Sequence, residues 1–180
     1  VTGKFNDDLE SEEEFLEKYE EKDYKKPSVT TSLVCITWPN DVIDYTPELL
    51  LIERKKHPYK GCIALPGGFL NVGPNRIKQG ESLEECVIRE TFEEAGILVL
   101  EEQLSQVYAF GKPGRDPRTR VIDIVYFAHI TQDQAAMIKA GDDAAKAGWH
   151  LASRLKNYNF AFDHADAIKM AFKRANIYLP

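Results

Sequence analysis

The sequence lacks a long apolar run, a leader segment and internal repeats, and each absence excludes a class of protein. A membrane-spanning helix needs ~20 consecutive apolar residues, and no stretch of this chain approaches that length. No charged segment followed by an apolar run begins the chain, so no secretion signal is predicted. We therefore expect a cytoplasmic protein without a membrane partner.

Positive charge and cysteine are also scarce. The chain has 23 Lys and Arg against 29 Asp and Glu, a formal net charge of −6. Binding to nucleic acid usually requires a basic face that neutralises phosphates, so no nucleic-acid partner is expected. The three cysteines, Cys35, Cys62 and Cys86, show no CxxC or Cys/His metal spacing. We predict that they are free, buried thiols in a reducing compartment.

The length of 180 residues and the content of 43% hydrophobic and 29% charged residues indicate one globular domain. A glutamate-rich stretch, Asp7–Lys26, predicts an exposed acidic helix. We therefore divide the chain into an acidic N-terminal extension, residues 1–27, and a folded domain, residues 28–180.

Apolar periodicity predicts the elements of that domain. Strands are expected at Val29–Trp38, Glu48–Glu53, Cys62–Leu65 and Val121–Ile130, with one or two more in Val99–Phe110. Helices are expected at Ser82–Ala95, Asp133–Ala140 and Asp163–Ile177. Strands and helices do not alternate strictly, so the predicted fold class is α/β with a mixed sheet flanked by helices.

The segment Gly80–Ile97, GESLEECVIRETFEEAGI, is the most informative. Ser82 followed three residues later by Glu85 predicts a capping box at the start of a helix, and Gly96 predicts its end. The helical period predicts two faces. The inward face is apolar and contains Ile88, Thr91, Phe92 and Ala95, whereas the outward face is acidic and contains Glu90, Glu93 and Glu94, with Arg89 on the flank.

Neighbouring carboxylates on one helix face repel each other, and a hard divalent cation would relieve that repulsion. Mg²⁺ or Mn²⁺ takes carboxylate oxygens and keeps waters and phosphate oxygens in its shell, which suits hydrolysis of a diphosphate. Taken alone, however, a charged helix face of this kind is more often simply solvated.

Eight residues of this region resemble the Nudix box, G-x5-E-x7-R-E-U-x-E-E-x-G-U, in which U is a bulky aliphatic residue. They are Gly68, Glu81, Arg89, Glu90, Glu93, Glu94, Gly96 and Ile97. Thr91 departs from the pattern at an aliphatic position. Twelve residues instead of five separate Gly68 from Glu81, which we interpret as a seven-residue insertion within Asn71–Gln79. The resemblance implies an α/β/α sandwich with a loop-helix-loop catalytic motif.

The resemblance also implies roles for individual residues. The implied ligands of Mg²⁺ or Mn²⁺ are Glu90, Glu93 and Glu94. The implied catalytic group is Glu93, Arg89 and Glu81. Glycine permits close approach of the backbone to metal or phosphate, a role implied for Gly67 and Gly68. The general base stays open between Glu93, Asp142 and Asp143.

Three further stretches resemble the subgroup that contains ADP-ribose pyrophosphatases and their regulatory relatives. They are Arg54–Pro58 leading into LPGGF, FGKPGRDPRTR at Phe110–Arg120, and FAFDHAD at Phe160–Asp166. Guanidinium groups bind diphosphates through paired hydrogen bonds, although a solvated hairpin tip is the alternative. The predicted substrate-binding residues are Gly67, Gly68, Arg54, Arg115, Arg118 and Arg120. The histidines His57 and His164 are interpreted as structural.

The expected function is divalent-metal-dependent hydrolysis of a nucleoside diphosphate derivative, foremost ADP-ribose to AMP and ribose 5-phosphate. One alternative is the same chemistry on NADH, dinucleoside polyphosphates or nucleoside triphosphates. Another is a non-catalytic module that senses ADP-ribose, because regulatory relatives join this domain to a winged helix. The retained carboxylates and the few residues after the last predicted helix favour the enzyme. Many members of the subgroup are dimers, so a homodimer is left open.

Overall fold

The computed structural model describes residues 11, 14, 25–39, 46–74, 80–139 and 144–179, apart from the side chains of 144 and 145. Nearly all of the predicted acidic helix, Asp7–Lys26, falls outside these ranges, so the boundary at residue 28 stays a prediction. Asp142 and Asp143 fall outside them as well. No helix in the described ranges is long and apolar enough to span a membrane.

Seven strands of the described chain form one mixed sheet. They are β1 Ser28–Thr37, β2 Glu48–Arg54, β3 Ile63–Ala64, β4 Gly67–Phe69, β5 Leu104–Phe110, β6 Val121–His129 and β7 Ala144–Leu151. The neighbours run β3-β2-β1-β6-β5, while β4 pairs with β1 and β7 pairs with β2. Strands β1 and β6 are parallel and the other pairs are antiparallel. The predicted mixed sheet is therefore confirmed.

Helices cover both faces of this sheet. They are α1 Leu83–Ala95, α2 Gln132–Ala135 and α3 His164–Arg174, and two 3-10 helices span Glu101–Gln103 and Ala152–Asn157. Successive side chains of a strand point to opposite faces. Accordingly Leu33 of β1 packs in the core beneath α1, whereas Val34 packs with Ile168 and Phe172 of α3. The fold is the expected α/β/α sandwich.

Helix α1 begins and ends where the sequence predicts. The hydroxyl of Ser82 accepts from the backbone N–H of Glu85 at 3.0 Å, and the N–H of Ser82 donates to the Glu85 carboxylate at 2.8 Å. Gly96 lies in the left-handed region at φ 68° and donates to the carbonyl of Phe92. These caps fix the helix relative to the loop that precedes it.

Loss of this cap should weaken the fold measurably. We expect Ser82→Ala to lower the free energy of unfolding by about 1 kcal/mol, because the N–H of Glu85 loses its acceptor. Urea denaturation at pH 7 measures the change, with the exposed Ser105→Ala as the control. Equal midpoints for both variants would show that the cap contributes nothing.

The buried face of α1 differs from the prediction. The residues that face the sheet are Cys86, Val87, Thr91 and Ala95, whereas 55% of Phe92 is exposed. The sheet contacts Val87, Thr91 and Ala95, which are spaced by four residues along the helix. Phe92 is the residue after Thr91, so the helical rotation turns its side chain away from the sheet. Thr91 tolerates burial because its hydroxyl donates to the carbonyl of Val87 at 2.7 Å.

Several element boundaries were also wrong. Within Val99–Phe110, residues Glu101–Gln103 form a 3-10 helix and only Leu104–Phe110 is a strand. The helix predicted at Asp133–Ala140 is a single turn, Gln132–Ala135. Strand β7 was not predicted because its sequence, AAKAGWHL, has little strand propensity, and pairing with β2 stabilises it instead.

Candidate functional site

Strand β4 places two glycines between β1 and α1. At φ 155°, Gly67 has no room for a Cβ, because the carbonyl oxygen of Thr31 occupies that position. A Cβ on Gly68 would collide with the carboxylate of Glu90. The N–H of Gly67 also donates to Glu94 at 2.9 Å. Glu90 and Glu94 therefore both lie directly against the β4 backbone, and the approach of this backbone to metal or phosphate stays a prediction.

Arg89 organises the acidic face of α1. Its guanidinium donates to the Glu81 carboxylate at 2.6 and 2.8 Å, to Glu90 at 2.7 Å and to Glu93 at 3.1 Å. It also donates to the carbonyl of Phe69 on β4 at 3.2 Å. The sequence placed Arg89 on the flank of this face, but it lies among the carboxylates. Its long side chain reaches Glu81, Glu90 and Glu93, and the position of its Cα alone did not predict these contacts.

Arg89 sets the charge state of the neighbouring glutamates. Hydrogen bonds from Arg89 hold the pKa of Glu81 at about 2, so Glu81 is a fixed anion. Burial raises the pKa of Glu90, and the bond from Arg89 opposes this rise. Glu81 thus supports the arginine, and the arginine positions Glu90 and Glu93.

The donor set suits a hard divalent cation, which prefers carboxylate oxygens. Glu90 and Glu94 line the same cleft and are held by backbone and arginine contacts, while the Glu93 side chain is 56% exposed. In the described part of the chain, no three acidic, His or Cys side chains converge as a ready-made ligand set. Two of the predicted ligands, Glu90 and Glu93, accept from Arg89 through one carboxylate oxygen each, so a cation could bind at the second oxygen while these bonds persist.

A cleft of about 300 Å³ opens beside this acidic face. One wall contains Gly67, Gly68, Glu90 and Glu94. A second group of lining residues, the basic wall, contains Arg54, Arg118 and Phe162. We call a third group, Thr30, Ser32, Arg115, Asp123 and His164, the floor; within it Asp123 and His164 are only 1% and 6% exposed. An acidic wall and a basic wall therefore line the same cavity.

The arginines predicted as one cluster separate in the structure. The side chain of Arg115 is only 5% exposed and its guanidinium bonds Asp163 at 2.8 Å and Asp123 at 3.4 Å. Burial would lower the pKa of Arg115, but these two carboxylates raise it. Arg120 donates to the carbonyl of Gly111 and does not line the cleft. Arg115 therefore lines the cleft as part of an ion-pair network, and its predicted substrate role stays a prediction, whereas the position of Arg120 gives no support to the role predicted for it.

Arg118 is the exposed and oriented arginine of the cleft. Its guanidinium donates to both carboxylate oxygens of Asp116, at 2.7 and 3.0 Å, and lies 4.9 Å from the ring centroid of Phe69. Arg54 belongs to the same wall and lies 5.0 Å from the ring centroid of Phe162. The side chain of Arg118 is 41% exposed. A guanidinium held in this way presents its remaining donors in a fixed direction.

Comparison with known proteins identifies the family of this site. The NUDIX domain family matches the chain over residues 40–170. The chain belongs to the Nudix family. The matched region contains the complete acidic face of α1 and the whole cleft wall that carries Arg54, Arg118 and Phe162.

Relatives of this Nudix domain are enzymes and regulators. The ADP-ribose pyrophosphatase of Methanocaldococcus jannaschii is 41% identical over 128 residues, 71% of this chain and 68% of that protein. The ADPR responsive transcriptional repressor of Acinetobacter baylyi is 31% identical, over 92% of this chain and 61% of its own length. The NUDIX domain of Shewanella oneidensis NrtR, crystallised with ADP ribose, has a TM-score of 0.78 at 25% identity, over 92% of this chain and 99% of that one.

These likenesses confirm the predicted enzyme class, a Nudix pyrophosphohydrolase, and the resemblance to the ADP-ribose pyrophosphatase subgroup. The predicted homodimer stays a prediction. The insertion inferred within Asn71–Gln79 begins and ends in paired backbone, since Val72 bridges Gly80 and the N–H of Glu81 donates to the carbonyl of Asn71 at 3.1 Å. Residues 75–79 are not among those described.

His164 in this Nudix domain makes a structural contact, as expected, and it also lines the cleft. Only 6% of the residue is exposed, and its Nδ1 accepts from the N–H of Leu65 at 2.9 Å. Burial lowers its pKa to about 3, and the positive charge of Arg115 acts in the same direction. His57 is exposed and does not line the cleft.

His164 should make the fold sensitive to acid. Its pKa is about 3 in the folded protein and 6.5 as a free side chain, so only the unfolded chain takes up this proton between those values. The stability that it contributes is complete above pH 6.5 and is lost as the pH falls toward 3. His164→Asn, which keeps an acceptor for Leu65, should therefore lose less stability than the wild type between pH 7 and pH 5.

Urea denaturation of both proteins at the two pH values measures this difference. Burial raises the pKa of Asp123 to about 6, which acts in the opposite sense over part of the same range, but Asp123 is present in both proteins. Arg115, Arg54 and Asp163 are the other charges that act on the ring. Equal pH dependence in the two proteins would show that His164 titrates normally.

The three cysteines are free thiols. Cys35 and Cys86 are buried as predicted, whereas Cys62 is half-buried. Burial raises the pKa of Cys35 to about 12 and that of Cys86 to about 11, so neither forms a thiolate nucleophile near pH 7.

Several cleft residues escaped the sequence interpretation. They are Thr30, Ser32, Phe69, Asp116, Asp123 and Phe162. Phe69, Asp116 and Phe162 lie in stretches that the sequence analysis singled out, although nothing marked them individually. Asp123 carried a signal of its own, because it is the one charged residue within the apolar strand VIDIVYFAH. A carboxylate in such a strand needs partners, and the hydroxyls of Thr30 and Ser32 supply them at 2.8 and 3.1 Å.

Proposed function

We propose that this protein hydrolyses ADP-ribose to AMP and ribose 5-phosphate with the help of Mg²⁺ or Mn²⁺. The observation that carries the proposal is that two carboxylates, Glu90 and Glu94, and an oriented guanidinium, Arg118, line one cleft. In a diphosphate with a bound cation, the cation complements the carboxylates and the phosphate oxygens complement the guanidinium. The 41% identity to an ADP-ribose pyrophosphatase supports the choice of substrate.

The proposed work of each side chain follows from its contacts. Glu90, Glu93 and Glu94 would hold the cation, which neutralises phosphate charge and activates a water. Arg89 and Glu81 act as positioning residues, since the bonds of Arg89 fix Glu90 and Glu93 relative to β4. These contacts orient the carboxylates before substrate arrives.

Arg118 would bind the diphosphate from the other wall. Asp116 uses two of its guanidinium hydrogens, which leaves further donors on the exposed group for phosphate oxygens. Glu93, which is exposed beside Arg89, is the described candidate for the general base. Asp142 and Asp143 stay candidates from the sequence alone.

The test is incubation of the purified protein with a substrate panel, with and without magnesium, followed by identification of the products by mass. We expect magnesium-dependent release of AMP and ribose 5-phosphate from ADP-ribose above all other compounds. The panel contains NADH, diadenosine polyphosphates and nucleoside triphosphates, so preference for one of these would replace ADP-ribose as the substrate.

A sensor of ADP-ribose is the second candidate, favoured by the 31% identity to an ADPR responsive repressor across 92% of this chain. It predicts binding of ADP-ribose, seen by calorimetry, without turnover at saturating magnesium. The enzyme predicts turnover with ordinary Michaelis–Menten kinetics. The two outcomes exclude each other in a single preparation.

A further inference from the structure

We propose that His164 donates a hydrogen bond through Nε2 to a ribose hydroxyl at the floor of the cleft. The inference rests on the proposed function, because it assigns one part of ADP-ribose to this end of the cavity. It gives a ligand-binding role to a side chain whose only role so far is structural.

The fold itself determines which ring nitrogen carries the proton. The backbone N–H of Leu65 donates to Nδ1 at 2.9 Å, and a backbone amide can only donate. Nδ1 is therefore unprotonated, and in a neutral imidazole the proton sits on Nε2. Burial and the charge of Arg115 keep the pKa of the ring at about 3, so the ring is neutral at pH 7. Nε2 is consequently a hydrogen-bond donor throughout the physiological range.

Nε2 faces the cleft, where a bound ligand can accept its hydrogen bond. Within the described residues, His164 makes a hydrogen bond through Nδ1 and none through Nε2. No fully enclosed side-chain nitrogen or oxygen in those residues lacks a partner, so Nε2 must reach open space. The open space beside His164 is the cleft, and only 6% of the residue is exposed. A donor in such a recess gains most from an oxygen atom of a bound molecule.

The charges around the floor favour a hydroxyl over a phosphate. Arg115 is already bonded to two carboxylates, Asp123 and Asp163, so with a neutral ring the floor residues offer a phosphate no positive charge beyond the one that these carboxylates already balance. A phosphate would be repelled by these carboxylates. A sugar hydroxyl can accept from Nε2 and donate to an acceptor at the same time. The phosphates then belong between Glu90 and Arg118, and a ribose reaches the floor.

The first test reads the ring directly in the wild-type protein. Nitrogen-15 NMR at pH 7, with His164→Asn used to assign the signal, should show an unprotonated Nδ1 and a protonated Nε2. Titration with AMP and with ribose 5-phosphate should shift Nε2 for the compound whose ribose reaches the floor, and inorganic phosphate should not. A ring that is charged or protonated on Nδ1, a shift with phosphate, or no shift with either sugar would overturn the inference.

The second test uses a matched pair of variants. His164→Asn keeps the acceptor for Leu65 but removes the Nε2 donor, and His129→Asn makes the same change at an exposed position outside the cleft. We expect His164→Asn to raise KM for ADP-ribose by about tenfold with kcat within twofold, the size of effect for one lost hydrogen bond in binding. His129→Asn should match the wild type.

The outcomes separate this inference from the proposed function. If the wild type does not hydrolyse ADP-ribose, the proposed function fails, and the NMR titration still decides the role of His164. If the wild type is active and His164→Asn has the wild-type KM, only the inference fails. If that variant does not fold, substitution of the three other histidines, His57, His129 and His150, assigns the His164 signal by elimination, and the ring nitrogen signals of the wild type carry the decision.

Discussion

Replacing Glu94 by glutamine should lower kcat/KM for ADP-ribose by on the order of a hundredfold or more at saturating magnesium. Glutamine has the same shape and keeps an oxygen that can accept from the N–H of Gly67, the contact seen at 2.9 Å. It removes the negative charge that a hard cation requires of its ligand. The variant therefore changes the charge of the acidic wall and leaves the path of β4 intact.

The matched control is Glu102→Gln, the same substitution at an exposed residue of the Glu101–Gln103 helix. Both variants are compared with the wild type in product release and in urea denaturation. Wild-type activity in Glu94→Gln, with magnesium dependence unchanged, would show that Glu94 is not a ligand. A loss of activity in both variants would point to a general charge effect instead.

The acidic face of α1 was predictable because its chemistry is local. Ser82, Glu85 and Gly96 fix the two ends of one helix, and the period of that helix then places Glu90, Glu93 and Glu94 together. All of these residues lie within the 16 residues from Ser82 to Ile97, so their spacing along the chain is enough to predict that they come together. The parallel pairing of β1 with β6, between residues 93 positions apart, has no comparable local signal.

The arginine loop shows what spacing cannot predict. Arg115, Arg118 and Arg120 stand close together in sequence, yet each has a different role because its partners come from elsewhere. Arg115 is neutralised by Asp163, 48 residues away, whereas Arg118 pairs with Asp116 only two residues away. Whether an arginine is available to a ligand thus depends on carboxylates that tertiary packing supplies.

Replacing Arg115 by methionine should lower the free energy of unfolding by about 3 kcal/mol at pH 7. Methionine fills a similar volume, so the main loss is the positive charge between Asp123 and Asp163. Asp123 is 1% exposed and would be left as a buried carboxylate with two hydroxyl partners. Urea denaturation measures the loss. The control is Arg120→Met in the same loop. Among the described residues its guanidinium donates to the carbonyl of Gly111, and the change should stay within about 0.5 kcal/mol.

The effect of Arg115→Met should shrink as the pH falls from 7 to 5. Burial raises the pKa of Asp123 to about 6 even though Arg115 opposes the rise, so below pH 6 Asp123 becomes protonated in the wild type as well. A neutral Asp123 gains little from the guanidinium, and the advantage of the wild type over the variant then rests on Asp163 alone. An equal loss at both pH values would mean that Asp123 is ionised throughout, and a loss no larger than that of Arg120→Met would mean that Arg115 is available to bind a ligand.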